Sequence, residues 1–119
     1  MRLLKEKPLT KFSQNGIDVE VINIHTVRPL DRDAIINSVK KTNRLITLEE
    51  GWPQHGVGAE IGAMIMECDA FDYLDAPLVR LTGADVPMPY AVDLERAALP
   101  QVDNIVNALN EITYRGKAA

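Results

Sequence analysis

The 119-residue sequence predicts an α/β domain, a small and mostly parallel sheet with helices on both faces. Two observations carry that expectation. Three short, mostly apolar runs, at 19–24, 44–48 and 77–81, alternate with longer stretches whose apolar residues recur at helical spacing. Short, mostly apolar strands separated by helices point to a sheet covered on both faces, with parallel strands. Length allows one compact domain and is short for an enzyme that must also bind a large cofactor.

Each element has its own signal. Asn15-Gly16 marks a turn or helix stop, and the β-branched run Val19-Glu20-Val21-Ile22-Asn23-Ile24 after it reads as the first strand. Asp31 is placed to cap a helix, with Leu30 and Ile35 spaced as a hydrophobic staple. Ala34, Ile35 and Val39 share one face of that helix, and Lys40 and Lys41 suit the negative end of its dipole. Arg44 to Leu48 forms the second strand. Beyond a glycine-rich loop, Val57, Ile61, Met64, Ile65 and Cys68 recur at helical spacing, and Pro77 to Leu81 forms the third strand. A last helix starts near Pro100 and carries Val102, Ile105, Val106, Leu109 and Ile112 on one stripe. The segment from Leu3 to Ser13 has helical composition, but Pro8 inside it would break or kink a helix. Arg115 to Ala119 reads as a helix end followed by a disordered tail.

Composition removes several function classes. With 46% hydrophobic and 25% charged residues the chain can build a core. One cysteine, Cys68, excludes an internal disulfide framework and suggests a reducing compartment. A net charge of −4 argues against a nucleic-acid surface, and no apolar run approaches a membrane span of about 20 residues. The basic first residues lack the apolar stretch of a secretory signal, and they resemble a mitochondrial presequence only weakly. Two histidines and one cysteine without a spaced cluster give no metal site.

Several segments carry candidate chemistry. The run from Glu49 to Glu60 is laid out as strand, glycine-rich loop and helix, like phosphate-binding loops. Its G-x-x-x-x-G-x-G spacing matches neither the Walker nor the dinucleotide pattern. Gly51–Gly58 therefore reads first as a tight turn allowing close helix approach, and second as an anion site. His55 could pair with Glu49, Glu50 or Glu60 for acid–base work, but no second catalytic group accompanies it, so an exposed loop histidine is favoured. His25 is expected to pack or hydrogen-bond, and Cys68, Met64 and Met66 to fill the core. Gly58 and Gly62, with Ala59 and Ala63 beside them, smooth one helix flank for packing within the domain or across a subunit interface. In Gly83–Tyr90 each residue before a proline is pushed toward extended backbone, giving a stiff strap that offers Met88 and Tyr90 to a neighbour. Asp69, Asp72 and Asp75, around Phe71 and Tyr73, make either a solvated helix end or a dock for a basic partner.

Longer motifs run through most of the chain: VEVIN at Val19–Asn23, RPLD at Arg28–Asp31, KTNRLITLEEGWPQHGVGAEI at Lys41–Ile61, LDAP at Leu74–Pro77 and TGADVPMPY at Thr82–Tyr90. From Gly16 to Tyr114 the sequence resembles the C-terminal domain of the beta subunit of pyruvate dehydrogenase, a domain of the transketolase C-terminal type. The resemblance implies an enzyme that decarboxylates pyruvate with thiamine diphosphate and transfers acetyl to lipoyl groups, mitochondrial in eukaryotes and otherwise cytoplasmic. It implies that cofactor and catalytic residues lie outside this chain, in the alpha subunit and the beta subunit's N-terminal domain. No catalytic, cofactor-binding or metal residue is therefore assigned here.

The resemblance also implies partners: the alpha subunit, a second beta subunit, and the subunit-binding domain of dihydrolipoyl acetyltransferase. The last would meet Asp75, the aspartate of the LDAP motif, with Asp72 beside it. Gly58, Gly62, Met88 and Tyr90 are candidates for the beta–beta interface. The domain is expected over 16–115, between a divergent segment 1–15 and the tail 116–119. Residues Met1–Asn15 depart from the family, whose first strand they replace, so an unpaired sheet edge is expected. The chain is expected to be part of a larger subunit. Two alternatives remain, a branched-chain 2-oxoacid dehydrogenase beta subunit and a free-standing anion- or ligand-binding module using Gly51–Gly58.

Overall fold

A computed structural model describes residues 16–115; the expectations for segment 1–15 and tail 116–119 lie outside the described residues. The elements are α1 (Arg32–Thr42), β1 (Ile46–Leu48), α2 (Val57–Met66), a 3-10 helix (Asp69–Tyr73), β2 (Val79–Leu81), α3 (Val92–Ala98) and α4 (Val102–Ile112). β1 and β2 pair in parallel, Ile46 opposite Val79 and Leu48 opposite Leu81, with α2 and the 3-10 helix in the crossover.

Strand alternation splits the core in two. Leu45 packs toward Ile35, Val39, Ile61, Met64, Ile65 and Ala70, the cluster under α1 and α2. Its neighbour Ile46 packs toward Ile17, Ala76, Leu109 and Ile112, the cluster under α4. Helices thus cover both faces of the sheet, as the alternating pattern predicts. Met64, Ile65 and Val39 are the largest fully buried side chains, each contributing about 2 kcal/mol of apolar burial.

The first helix forms for the anticipated reasons. The Ala34 N–H donates to Asp31 Oδ1 at 3.1 Å, and Leu30 and Ile35 meet in one cluster. At its other end Asn43 takes left-handed backbone (φ 61°), and its N–H donates to the Val39 carbonyl at 2.8 Å. The chain turns there from α1 into β1.

Several features of the fold differ from the sequence reading. Val19–Ile24 runs beside the core but joins no ladder among the described residues. Ile17 is buried and Val19 and Ile24 are half-buried, so side-chain burial holds this segment without backbone pairing, while Val21 and Ile22 face solvent. Met66 is exposed, because two positions on from buried Met64 is about 200° around the helix. The unanticipated α3 buries only Ala98, too little apolar patterning to be read from sequence.

Asn43 gives the fold a direct test. Asn43→Ala is expected to lose about 2 kcal/mol in chemical denaturation, about half from left-handed strain and half from its lost amide hydrogen bond. Asn43→Gly, free of the strain, should lose about 1 kcal/mol.

Candidate functional site

An open groove of about 710 Å³ lies where the end of α2, the 3-10 helix and the segment entering β2 meet the C-terminal turn after α4. Met66, Phe71, Leu78 and Tyr114 give it apolar walls, and Asp72 and Asp75 line it as well. Met66, Phe71 and Tyr114 are all exposed. Apolar walls beside carboxylates suit a partner that presents hydrophobic side chains next to a basic one.

The residues after α1 hold the acidic segment. The Asn43 side-chain amide donates to the Tyr73 carbonyl at 2.8 Å, and the Asp75 N–H donates to the Asn43 carbonyl at 2.8 Å. Tyr114, itself left-handed (φ 57°), donates its hydroxyl to the Asp75 carbonyl at 3.4 Å. Lys40 Nζ donates to Asp69 Oδ2 at 2.7 Å and lies 5.6 Å from the centre of the Tyr73 ring. The hydrogen bond to Asp69 holds the Lys40 ammonium above its ordinary pKa of 10.5.

The three aspartates therefore differ in what they offer a partner. Asp69 is neutralised by Lys40. Asp75 faces Arg44, whose guanidinium nitrogen stands 3.9 Å from Oδ2, while Arg44 Nε donates to the Ile112 carbonyl at 2.7 Å. Asp72 makes no ion pair among the described residues. Sequence reasoning found the aspartates but missed Asn43, Arg44, Met66 and Tyr114. Of these, only Asn43, an asparagine directly after a basic helix end, carried a readable signal.

The glycine loop is already filled. Glu49 Oε1 accepts from the Gly58 N–H at 3.2 Å, placing the chain's own carboxylate at the start of α2. A Cβ on Gly56 would land on that carboxylate, and one on Gly58 would lie 2.7 Å from Thr47 Oγ1. The alternative of an anion site at Gly51–Gly58 is corrected accordingly, since an external anion would meet a carboxylate where it needs an N–H donor. Close approach of helix to sheet is the reason for these glycines. Gly58 is buried within the chain, and a Cβ on Gly62 would lie 2.9 Å from Leu78 Cδ2, so both are used in packing inside the domain.

His55 is exposed in the loop with left-handed backbone (φ 58°), and His25 is exposed as well, contrary to its expected packing role. Cys68 is half-buried at the end of α2, its thiol donating to the Ile65 carbonyl at 3.6 Å. No group of three or more His, Cys, Asp or Glu suited to a metal occurs among the described residues, and no helix there is long and apolar enough to cross a membrane.

The strap is tied to the glycine loop. Trp52 Nε1 donates to the Val86 carbonyl at 3.0 Å, and the Gly83 N–H donates to the Gly51 carbonyl at 2.9 Å. Met88 and Tyr90 stand exposed beyond it, Tyr90 wholly so.

The transketolase C-terminal domain model matches residues 7–105, most of the chain. The chain belongs to the transketolase C-terminal domain family. Among curated relatives it is 60% identical over 106 residues to the mitochondrial pyruvate dehydrogenase E1 component subunit beta of Dictyostelium discoideum, covering 89% of this chain and 30% of that protein. The corresponding Bos taurus subunit is 59% identical over 102 residues, covering 86% of this chain and 28% of its own length. The Rhizobium meliloti subunit is 50% identical over 109 residues, covering 92% and 24%. The resemblance drawn from the sequence motifs is thereby borne out. The chain spans less than a third of the length of these relatives.

Two measurements check the filled loop. Titration of the chain with millimolar inorganic phosphate should give no saturable heat, while Glu49→Gln should lower stability by about 1 kcal/mol through loss of charge at the α2 start. Thr47 is buried and its hydroxyl has no hydrogen-bond partner. Thr47→Val is expected to be neutral or stabilising by about 1 kcal/mol in a denaturant series.

Proposed function

We propose that this chain is the C-terminal part of the beta subunit of a thiamine-diphosphate-dependent pyruvate dehydrogenase, mitochondrial in a eukaryote, and that its own work is assembly. In the whole enzyme, on this reading, pyruvate is decarboxylated and acetyl passes to lipoyl groups. This domain pairs with a second beta subunit and docks dihydrolipoyl acetyltransferase, while the alpha subunit is a partner of the whole enzyme.

The observation that carries the docking reading is the groove itself, exposed Met66, Phe71 and Tyr114 beside the carboxylates of Asp72 and Asp75. A basic side chain from the acetyltransferase's subunit-binding domain suits those carboxylates, and apolar neighbours suit the walls. For subunit pairing, exposed Met88 and Tyr90 on the strap, with Val92 and Leu94 following on α3, offer an apolar surface. The relatives' names favour pyruvate over a branched-chain 2-oxoacid as the whole enzyme's substrate.

Thiamine diphosphate would belong to the rest of that enzyme. The residues described here do not suit it, because the loop best shaped for a diphosphate presents the Glu49 carboxylate, and no cluster of carboxylates and histidines stands by to hold its metal.

Calorimetry with the isolated subunit-binding domain of the acetyltransferase tests the dock. Asp75→Asn and Asp72→Asn should each weaken binding about tenfold or more, with the melting temperature retained. Unchanged affinity in both variants would remove the docking claim.

A further inference from the structure

We infer that Arg44 is a built-in competitor for the basic partner at Asp75, so that docking is an exchange of one cation for another. The inference rests on the docking reading above and adds a residue that sets its affinity.

Three observations support it. Arg44 is the cation facing Asp75, and at 3.9 Å their contact is an ion pair without a hydrogen bond. Arg44 is anchored independently of Asp75 through its Nε bond to the Ile112 carbonyl at 2.7 Å, so its charge stays beside the groove whether or not Asp75 turns away. The Asp75 backbone is fixed from both sides, by the Asn43 carbonyl and the Tyr114 hydroxyl, while its side chain stays 60% exposed. The carboxylate can thus swing toward an incoming cation with no change in the main chain.

The energetics set the direction. A fixed positive charge about 4 Å from Asp75 lowers the negative potential available to a second cation. Because both groups are partly solvated, the effect on affinity is modest, about two- to fivefold at low ionic strength. Of the two carboxylates lining the groove, Asp75 is the one with an ion-pair partner among the described residues, so the Arg44–Asp75 contact is where the charge of this groove is tuned. A partner must supply a cation that Asp75 prefers to Arg44. A guanidinium or ammonium able to make the direct, charge-assisted hydrogen bond that Arg44 lacks meets that requirement.

The test compares binding of the acetyltransferase's subunit-binding domain to the full 119-residue chain and its variants. Arg44→Gln removes the charge but keeps an amide donor for the Ile112 carbonyl, and Arg44→Met is a second neutral replacement should the first fail to fold. Either should bind about two- to fivefold more tightly than the parent chain, the gain shrinking as salt is added. Arg44→Lys, which keeps the charge, should stay near the parent value. Equal or weaker binding by a folded neutral variant, or tightening by Arg44→Lys to the same extent, would overturn the inference. If Asp75→Asn weakens binding and the neutral Arg44 variants do not strengthen it, the competitor role fails and the dock stands. If the Asp75 and Asp72 variants leave binding unchanged, the dock fails and the competitor role with it.

Discussion

The left-handed turn at Asn43 is the constraint on which both the sheet and the groove depend. It ends α1, sends the chain into β1, and leaves its carbonyl and side-chain amide free to face the acidic segment thirty residues on. Two hydrogen bonds then fix Tyr73 and Asp75 to the root of the strand. A helix stop, ordinarily a local matter, here sets the position of a surface carboxylate relative to the core.

The sheet is small for what it supports. Three residues from each strand make the ladder, and the remaining order comes from the helices closing over both faces. The glycines at 56 and 58 make that possible at the start of α2, where any Cβ would meet Glu49 or Thr47. At Gly83 a Cβ would meet the Glu50 carbonyl, so the strap and the glycine loop also touch backbone to backbone. The stiffness inferred from the prolines is thus reinforced by anchoring at Trp52 and Gly51.

How much of this was legible in the sequence varied with the range of the interaction. α1, its Asp31 cap and the apolar stripe of α4 were readable because capping and periodicity are local. The first apolar run was read as a strand but joins no ladder among the described residues, since a ladder needs a neighbour that local composition does not specify. Asp72 and Asp75 stood out as charges near aromatics. Arg44 and Tyr114 did not, because their roles arise from contacts spanning 68 and 39 residues of chain. The motif-level resemblance supplied what periodicity could not, and the identity to known beta subunits agrees with it.

Glu49 at the start of α2 has a consequence for how this loop behaves in a cell. The fold holds this carboxylate at hydrogen-bond distance from the Gly58 N–H, so a free anion must displace it before it can use the same donor. The helix therefore carries its own counter-ion at its positive end. A layout that elsewhere binds small anions is here turned to capping its own helix.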